Sequence, residues 1–215
     1  MDGTSLPNGC FVAGTLVHTK EGLVPIEKIK VGDSVLSQAE TKGERVYKPV
    51  VNTFSFEEVL FLVGFYVVDA QWPEGGKVNH VVATGDHPFW VKNVGWTRAD
   101  RLDQRCELEL ADGARGSVLC SSRLLATDDP DVAWVEGAHG VRANDGSGNL
   151  VYFESDAVRI GTASVALPET VAVGDDGRID ESGFYKRRVF NFEVAEAHTY
   201  YVAELGVWVH NANGG

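Results

Sequence analysis

The chain has 215 residues, 44% of them apolar, enough to bury a core as one large domain or two small ones. Its 19 lysines and arginines against 31 aspartates and glutamates leave a formal net charge of -12, which excludes the basic footprint of a nucleic-acid binder. No apolar run approaches a membrane span, residues 1–9 lack the basic and apolar regions of a secretory signal, and three cysteines, Cys10, Cys106 and Cys120, are too few and odd for a disulfide framework.

Along the chain, β-branched and aromatic runs predict strands at 15–18, 46–54, 59–68 and 78–83, with a glycine-bearing turn at 74–76. One short helix is predicted over 25–30, opened by Pro25 at its first position. Further strand-like runs occur at 106–110, 132–135, 150–153, 157–160, 188–194, 199–202 and 207–209. Segments 143–148 and 174–183, rich in glycine and aspartate, read as turns or loops. They belong to the least legible stretch, about 104–187. Many short strands and no internal repeat predict an all-β domain rather than a solenoid or propeller.

Three separated features carry chemistry. The first is Gly9-Cys10, a thiol directly after a residue whose carbonyl has no side chain to shield it. Attack of the thiol on that carbonyl converts the peptide into a thioester, an N-to-S acyl shift. The thiolate is the nucleophile, and at an ordinary pKa of ~8.5 little of it is present at neutral pH, so a base helps. Alone, Cys10 reads more readily as a small core hydrophobe.

The second is the run 84–90, in which Thr84 and Asp86 precede His87 and a proline-aromatic turn. By itself it is a turn with local capping. Chemically, a histidine near pKa ~6.5 supplies a proton to a departing amide nitrogen, and the Thr84 hydroxyl is placed to polarise the same carbonyl. The third is the chain's ending, with His198 and then His210-Asn211 ahead of Ala212. An asparagine side chain can close onto its own main-chain carbonyl as a succinimide and release the downstream polypeptide. His210 beside it and His198 upstream are the aids this needs, one donating to the carbonyl and one shuttling the amide proton. The sequence Asn213-Gly214 is the ordinary candidate for slow unaided ageing.

Together, the stretches 10–17 with 25–36, 50–54, 84–90 with 95–102, and 189–194 running through 198–202 to 209–211 resemble the Hint superfamily of hedgehog and intein domains. They are most similar to the pretoxin Hint domain of bacterial polymorphic toxins and to type B bacterial intein-like domains. The resemblance implies a horseshoe-like all-β fold with an insertion between about 104 and 187, and no cofactor. It implies an N-terminal flank 1–9, an autoprocessing domain 10–211 and a C-terminal flank 212–215. It assigns Cys10 as nucleophile, Thr84 and His87 as its helpers, His198, His210 and Asn211 to the C-terminal reaction, and Gly9 and Ala212 to the scissile junctions, with Asp86 and Asn191 as modulators. Partners are then the chain's own flanking polypeptides in cis, in a monomer, within a secreted or cell-surface bacterial toxin whose localisation the parent chain sets.

Two departures shape the expected outcome. Splicing inteins carry Cys, Ser or Thr after the terminal asparagine, whereas Ala212 offers a methyl group. Cleavage rather than ligation is therefore expected. Asn191 stands where many inteins carry an aspartate, and pretoxin Hint domains often carry asparagine there.

Competing readings are a Hint scaffold that presents a C-terminal toxin without processing it, and a trans-acting cysteine protease pairing Cys10 with His87. A hedgehog-type sterol transferase is disfavoured because the chain ends soon after His210-Asn211. Cys106, Cys120 and His139 match no zinc finger or ribbon spacing, so no metal is expected. His18 and His80 sit in strand-like runs and read as packing or surface residues.

Overall fold

The structure, a computed structural model, describes residues 9–40, 43–68, 76–137, 146–154, 157–169, 171 and 179–211. Ala212, His139, most of the expected turn at 74–76 and the first half of each of the loop segments 143–148 and 174–183 lie outside them. Among the described residues there is no α-helix, and no helix long and apolar enough to cross a membrane.

The chain enters through β1 (Phe11–Val12), β2 (Leu16–Thr19) and β3 (Gly22–Pro25). The expected helix at 25–30 is instead a single 3₁₀ turn, Ile26–Lys28, and Pro25 is the last residue of β3, paired with Leu16. Six residues cannot sustain an α-helix alone. The turn is held from outside, because Ile26 N–H donates to Thr15 O (2.8 Å) and Gly14 N–H to Glu27 Oε2 (2.9 Å).

Next come β4 (Ser34–Gln38) and β5 (Arg45–Val67), then β6 (Lys77–Thr84), β7 (Pro88–Val91), β8 (Gly95–Arg98), β9 (Glu107–Glu109) and β10 (Arg115–Arg123). Strand β5 merges the two runs expected at 46–54 and 59–68. Between those runs lie Glu57 and Glu58, which break the apolar pattern yet stand opposite Arg188 and Arg187 on a neighbouring strand. Opposite charges across a ladder continue pairing without burial.

The inserted unit is narrower than the stretch beginning near 104, since β9 and β10 belong to the main sheet. It comprises β11 (Leu125–Ala126), β12 (Val132–Glu136), β13 (Ser147–Phe153), β14 (Val158–Ile160) and β15 (Val165–Ala166), a separate five-stranded sheet. Ser147 and Gly148, expected in a loop, open β13. The chain returns to the main sheet with β16 (Lys186–Val194), β17 (Thr199–Val202) and β18 (Val207–His210).

The main sheet has 13 strands in the order β10-β9-β7-β18-β17-β2-β4-β5-β16-β1-β6, with β3 on β2 and β8 on β7. Pairings of β5 with both β6 and β10 join its two ends, so the sheet curls on itself around one core. Phe11, Phe65, Phe89, Phe192, Tyr200 and Val209 are buried there together. Each such side chain contributes about 1.5–3 kcal/mol by leaving water. A second cluster joins the two sheets, with Cys10, Leu60 and Leu62 beside Val135, Val151 and Phe153 of the insertion.

Candidate functional site

The expected first junction, Gly9-Cys10, is fixed by short ladders on both sides. Strand β1 pairs with β16 through Phe11↔Phe190 and with β6 through Phe11↔Ala83, which seats Cys10 between Thr84 and Asn191. Thr84 N–H donates to Cys10 O (2.9 Å), Cys10 N–H donates to Thr84 Oγ1 (3.0 Å), and the Thr84 hydroxyl donates its own proton to Asp86 Oδ1 (2.6 Å). Thr84 therefore holds the nitrogen end of the Gly9-Cys10 peptide, not its carbonyl as its spacing suggests.

The carbonyl is held by Asn191, whose Nδ2 donates a very short hydrogen bond to Gly9 O. Its orientation is fixed because Oδ1 accepts from Phe192 N–H (2.8 Å) and from the Tyr200 hydroxyl (2.8 Å). Asn191 is 2% exposed, so these bonds are not traded with water. One peptide bond is thus gripped at both N–H and C=O by side chains from two strands.

His87 completes this end. Its ring packs on Phe11 (centroids 4.0 Å) and Phe89 (5.6 Å), and it is wholly buried. Neither ring nitrogen has a hydrogen-bond partner among the described residues. Burial lowers its pKa to about 3, against a weaker opposing pull from the Gly9 backbone. The ring is therefore neutral at neutral pH. Burial, followed by the charges of Asp86 and Glu58, pushes the Cys10 thiol well above its ordinary range. Gly9 is required here sterically, since a β-carbon on it would lie 2.4 Å from His87 Cα and 2.6 Å from Nδ1.

Asn211, expected at the second junction, follows the end of β18. In β17 and β18 all positions but His210 are buried, and Thr199↔His210 is the last paired register, which places Asn211 just beyond the ladder. Asn211 is fully buried. Its N–H donates to His198 O (2.8 Å), and the amide orientation that satisfies its surroundings has Nδ2 donating to His198 O (2.6 Å) and Oδ1 accepting from Val194 N–H (2.7 Å). His198 has φ 53°, a left-handed conformation that costs a non-glycine residue about 1–2 kcal/mol. That turn aims its carbonyl at Asn211. The His198 ring lies nearly parallel to that of His210, with centroids 6.4 Å apart, and its Nδ1 has no partner among the described residues.

His210 Nδ1 makes a very short hydrogen bond to the main-chain oxygen of Asn211, while Nε2 lies 2.9 Å from Glu40 Oε1. The two ends are linked through the core. Gly9 O, Asn191 and Tyr200 form one hydrogen-bonded chain, and Tyr200 pairs with Val209 next to His210. All six candidate side chains, Cys10, Thr84, His87, His198, His210 and Asn211, fall into two clusters, with Asn191 and Asp86 in the first. Sequence reading missed Tyr200, concealed in an apolar strand run, and Glu40, an isolated carboxylate 170 residues from its partner.

Outside these clusters the expected packing role holds for His18, whose Nε2 bonds Ala203 O at 2.8 Å. Cys106 Sγ lies 3.8 Å from Asp103 Oδ1. No group of three or more His, Cys, Asp or Glu among the described residues is placed to hold a metal ion.

No curated protein matches the chain in sequence. Among solved structures it is similar to a bacterial intein-like domain from Clostridium thermocellum, 26% identical, covering 94% of this chain and 98% of that one with a TM-score of 0.55. The gp41-1 intein shares the fold at 15% identity and a TM-score of 0.53, covering 95% of this chain and 100% of its own. A DnaB intein from Synechocystis sp. PCC 6803 does so at 12% identity and 0.52, covering 94% and 98%. The pretoxin HINT domain model matches residues 16–133, more than half of the chain, a span that includes Thr84, Asp86 and His87. The chain belongs to the pretoxin HINT domain family, with the all-β fold of Hint and intein-like domains.

Proposed function

We propose that residues 10–211 form a single-turnover autoprocessing domain that cuts its own chain at Gly9-Cys10 and at Asn211-Ala212, freeing the flanks 1–9 and 212–215 and whatever continues from them, such as a C-terminal toxin. The observation that carries this reading is the grip on one peptide bond, with Thr84 at its N–H and Asn191 at its carbonyl. A purely structural turn has no need of a thiol, an unpartnered buried imidazole and two side chains converging on a single peptide.

At the first junction, Cys10 Sγ adds to the Gly9 carbonyl carbon as the thiol proton passes to neutral His87. Asn191 steadies the charge that develops on oxygen. The C–N bond then breaks, His87 returns its proton to the departing nitrogen of Cys10, and the Gly9 acyl group is left as a thioester on sulfur. Water or an added thiol resolves it. Because burial disfavours both the thiolate and the imidazolium, the resting precursor stores neither charge.

At the second junction, Asn211 Nδ2 adds to its own carbonyl carbon while His210 donates to the oxygen. The bond to Ala212 breaks, the proton shed by Nδ2 ends on the new amine, and His198 is assigned to carry it. Ala212 has no nucleophile to receive the Gly9 acyl group, so the flanks are released rather than joined. Different tags on the two ends, tracked through fragment masses, test this. Cys10→Ala abolishes thiol-stimulated N-terminal release, Asn211→Ala abolishes C-terminal release, and no joined-tag product forms. A joined product, or C-terminal release persisting in Asn211→Ala, contradicts the scheme.

A further inference from the structure

His210 is held between two oxygens. Nδ1 bonds the main-chain oxygen of Asn211 and Nε2 sits 2.9 Å from Glu40 Oε1. A carbonyl and a carboxylate are both acceptors, so the ring satisfies the two together only as a donor at both nitrogens, the imidazolium. We infer that Glu40, resting on the reading of C-terminal cleavage at Asn211, is a positioning residue that anchors Nε2 of the His210 ring and so keeps Nδ1 turned toward the Asn211 oxygen.

The remaining neighbours leave this role to Glu40. From β8 the indole of Trp96 packs on the His210 ring at 5.1 Å, offering π electrons but no charge. From the turn before β17 comes the ring of His198 at 6.4 Å, a second base rather than a counter-ion. His87, from the turn after β6, is within electrostatic range of His210 and is itself held neutral. Glu40 is the carboxylate facing this ring, the one ion-pair partner His210 has among the described residues. The pair straddles the surface, with the histidine side chain 12% exposed and the glutamate 46%. Surface ion pairs of this kind add little to stability, so the contact is poorly explained by folding.

The chemistry gives it a use. As Nδ2 of Asn211 adds to the Asn211 carbonyl carbon, negative charge gathers on the oxygen that Nδ1–H already touches. A charged donor stabilises that oxygen more than a neutral one. The carboxylate also prevents the ring from rotating its Nε2 edge inward. The proton balance of the cleavage is unchanged, since His210 keeps both protons and the hydrogen lost from Nδ2 goes to the departing amine.

The test uses the full chain with tags at both ends. Glu40→Ala and Glu40→Gln are expected to slow release at Asn211 by about 10- to 100-fold while thiol-stimulated release at Cys10 stays as in the parent. Glu40→Asp, which keeps a carboxylate on the ring, loses less of the rate at Asn211 than either variant. In a His210→Ala background, Glu40→Ala slows release no further. Unchanged C-terminal release in Glu40→Ala overturns the inference alone, as does equal loss at both junctions or a further loss on top of His210→Ala. A parent protein that never releases its C-terminal tag overturns the cleavage reading, and this inference with it.

Discussion

At the scale of single residues, Asn191 and His87 make the sharpest claims. Asn191 touches the carbonyl oxygen of Gly9 and is locked by Phe192 N–H and Tyr200, so truncation removes a donor that no water can replace. Asn191→Ala is expected to slow N-terminal cleavage by about 10²–10³-fold, read from thioester trapping by an added thiol, with a smaller effect at Asn211. An equal rate in the variant removes Asn191 from the reaction. His87 makes a prediction about folding. Its pKa is near 6.5 when the chain is unfolded and about 3 when folded, so as pH falls the unfolded chain binds the proton first. The stability gained by keeping His87 neutral is fully present above about pH 6.5 and drains away toward pH 3, on the order of 5 kcal/mol over the whole range. Urea unfolding of a cleavage-deficient Cys10→Ala, Asn211→Ala protein should lose stability between about pH 7 and pH 4.5. Adding His87→Gln should flatten that loss, and an identical slope in both proteins refutes the assignment.

The residues of the site are legible in the sequence only to the extent that each has distinctive chemistry. Cys10, His87 and Asn211 stand out because thiol, imidazole and terminal asparagine each imply a reaction. Their partners do not stand out. The spacing of Thr84 suggests the carbonyl and the structure places it at the nitrogen, because three residues of spacing cannot say which end of a peptide a hydroxyl meets. Glu40 is invisible in the sequence, since nothing local connects it to His210.

At the scale of elements, legibility tracks burial. Strands β17 and β18 are apolar on both faces, so the run 207–209 is plain in the sequence and carries Asn211 with it. Strand β10 is not, because its Arg, Ser and Gly residues are held by main-chain bonds to β5 and β9 rather than by an apolar stripe. In the insertion the runs at 132–135, 150–153 and 157–160 are plain and become β12, β13 and β14, whereas β11 and β15 are two residues each, too short to carry a pattern. Phe153 shows what the insertion contributes, stacking on Tyr185 at 4.9 Å within the cluster that includes Cys10. Phe153→Ala is expected to cost about 3–5 kcal/mol in a chemical denaturation experiment, and to speed alkylation of Cys10 by loosening its cover. Unchanged stability and unchanged Cys10 labelling show that the insertion does not shield the thiol.

At the scale of the molecule, the curled sheet solves a problem of distance. Cys10 and Asn211 lie near opposite ends of the chain, yet β1, β16, β17 and β18 bring their surroundings into one hydrogen-bonded core through Asn191 and Tyr200. The fold is common to the intein-like relatives, whereas in the proposed scheme the outcome turns on the identity of residue 212, an alanine with no nucleophile. The central claim is that the domain leaves its C-terminal flank by cyclisation of Asn211, and the mass of the released domain tests it most directly. A freshly released domain one water lighter than the chain ending in a free asparagine carboxylate, converting to the full mass as the imide hydrolyses, is the predicted result. A domain that emerges at the full hydrolysed mass from the first time point, or one cut at any other residue, contradicts it.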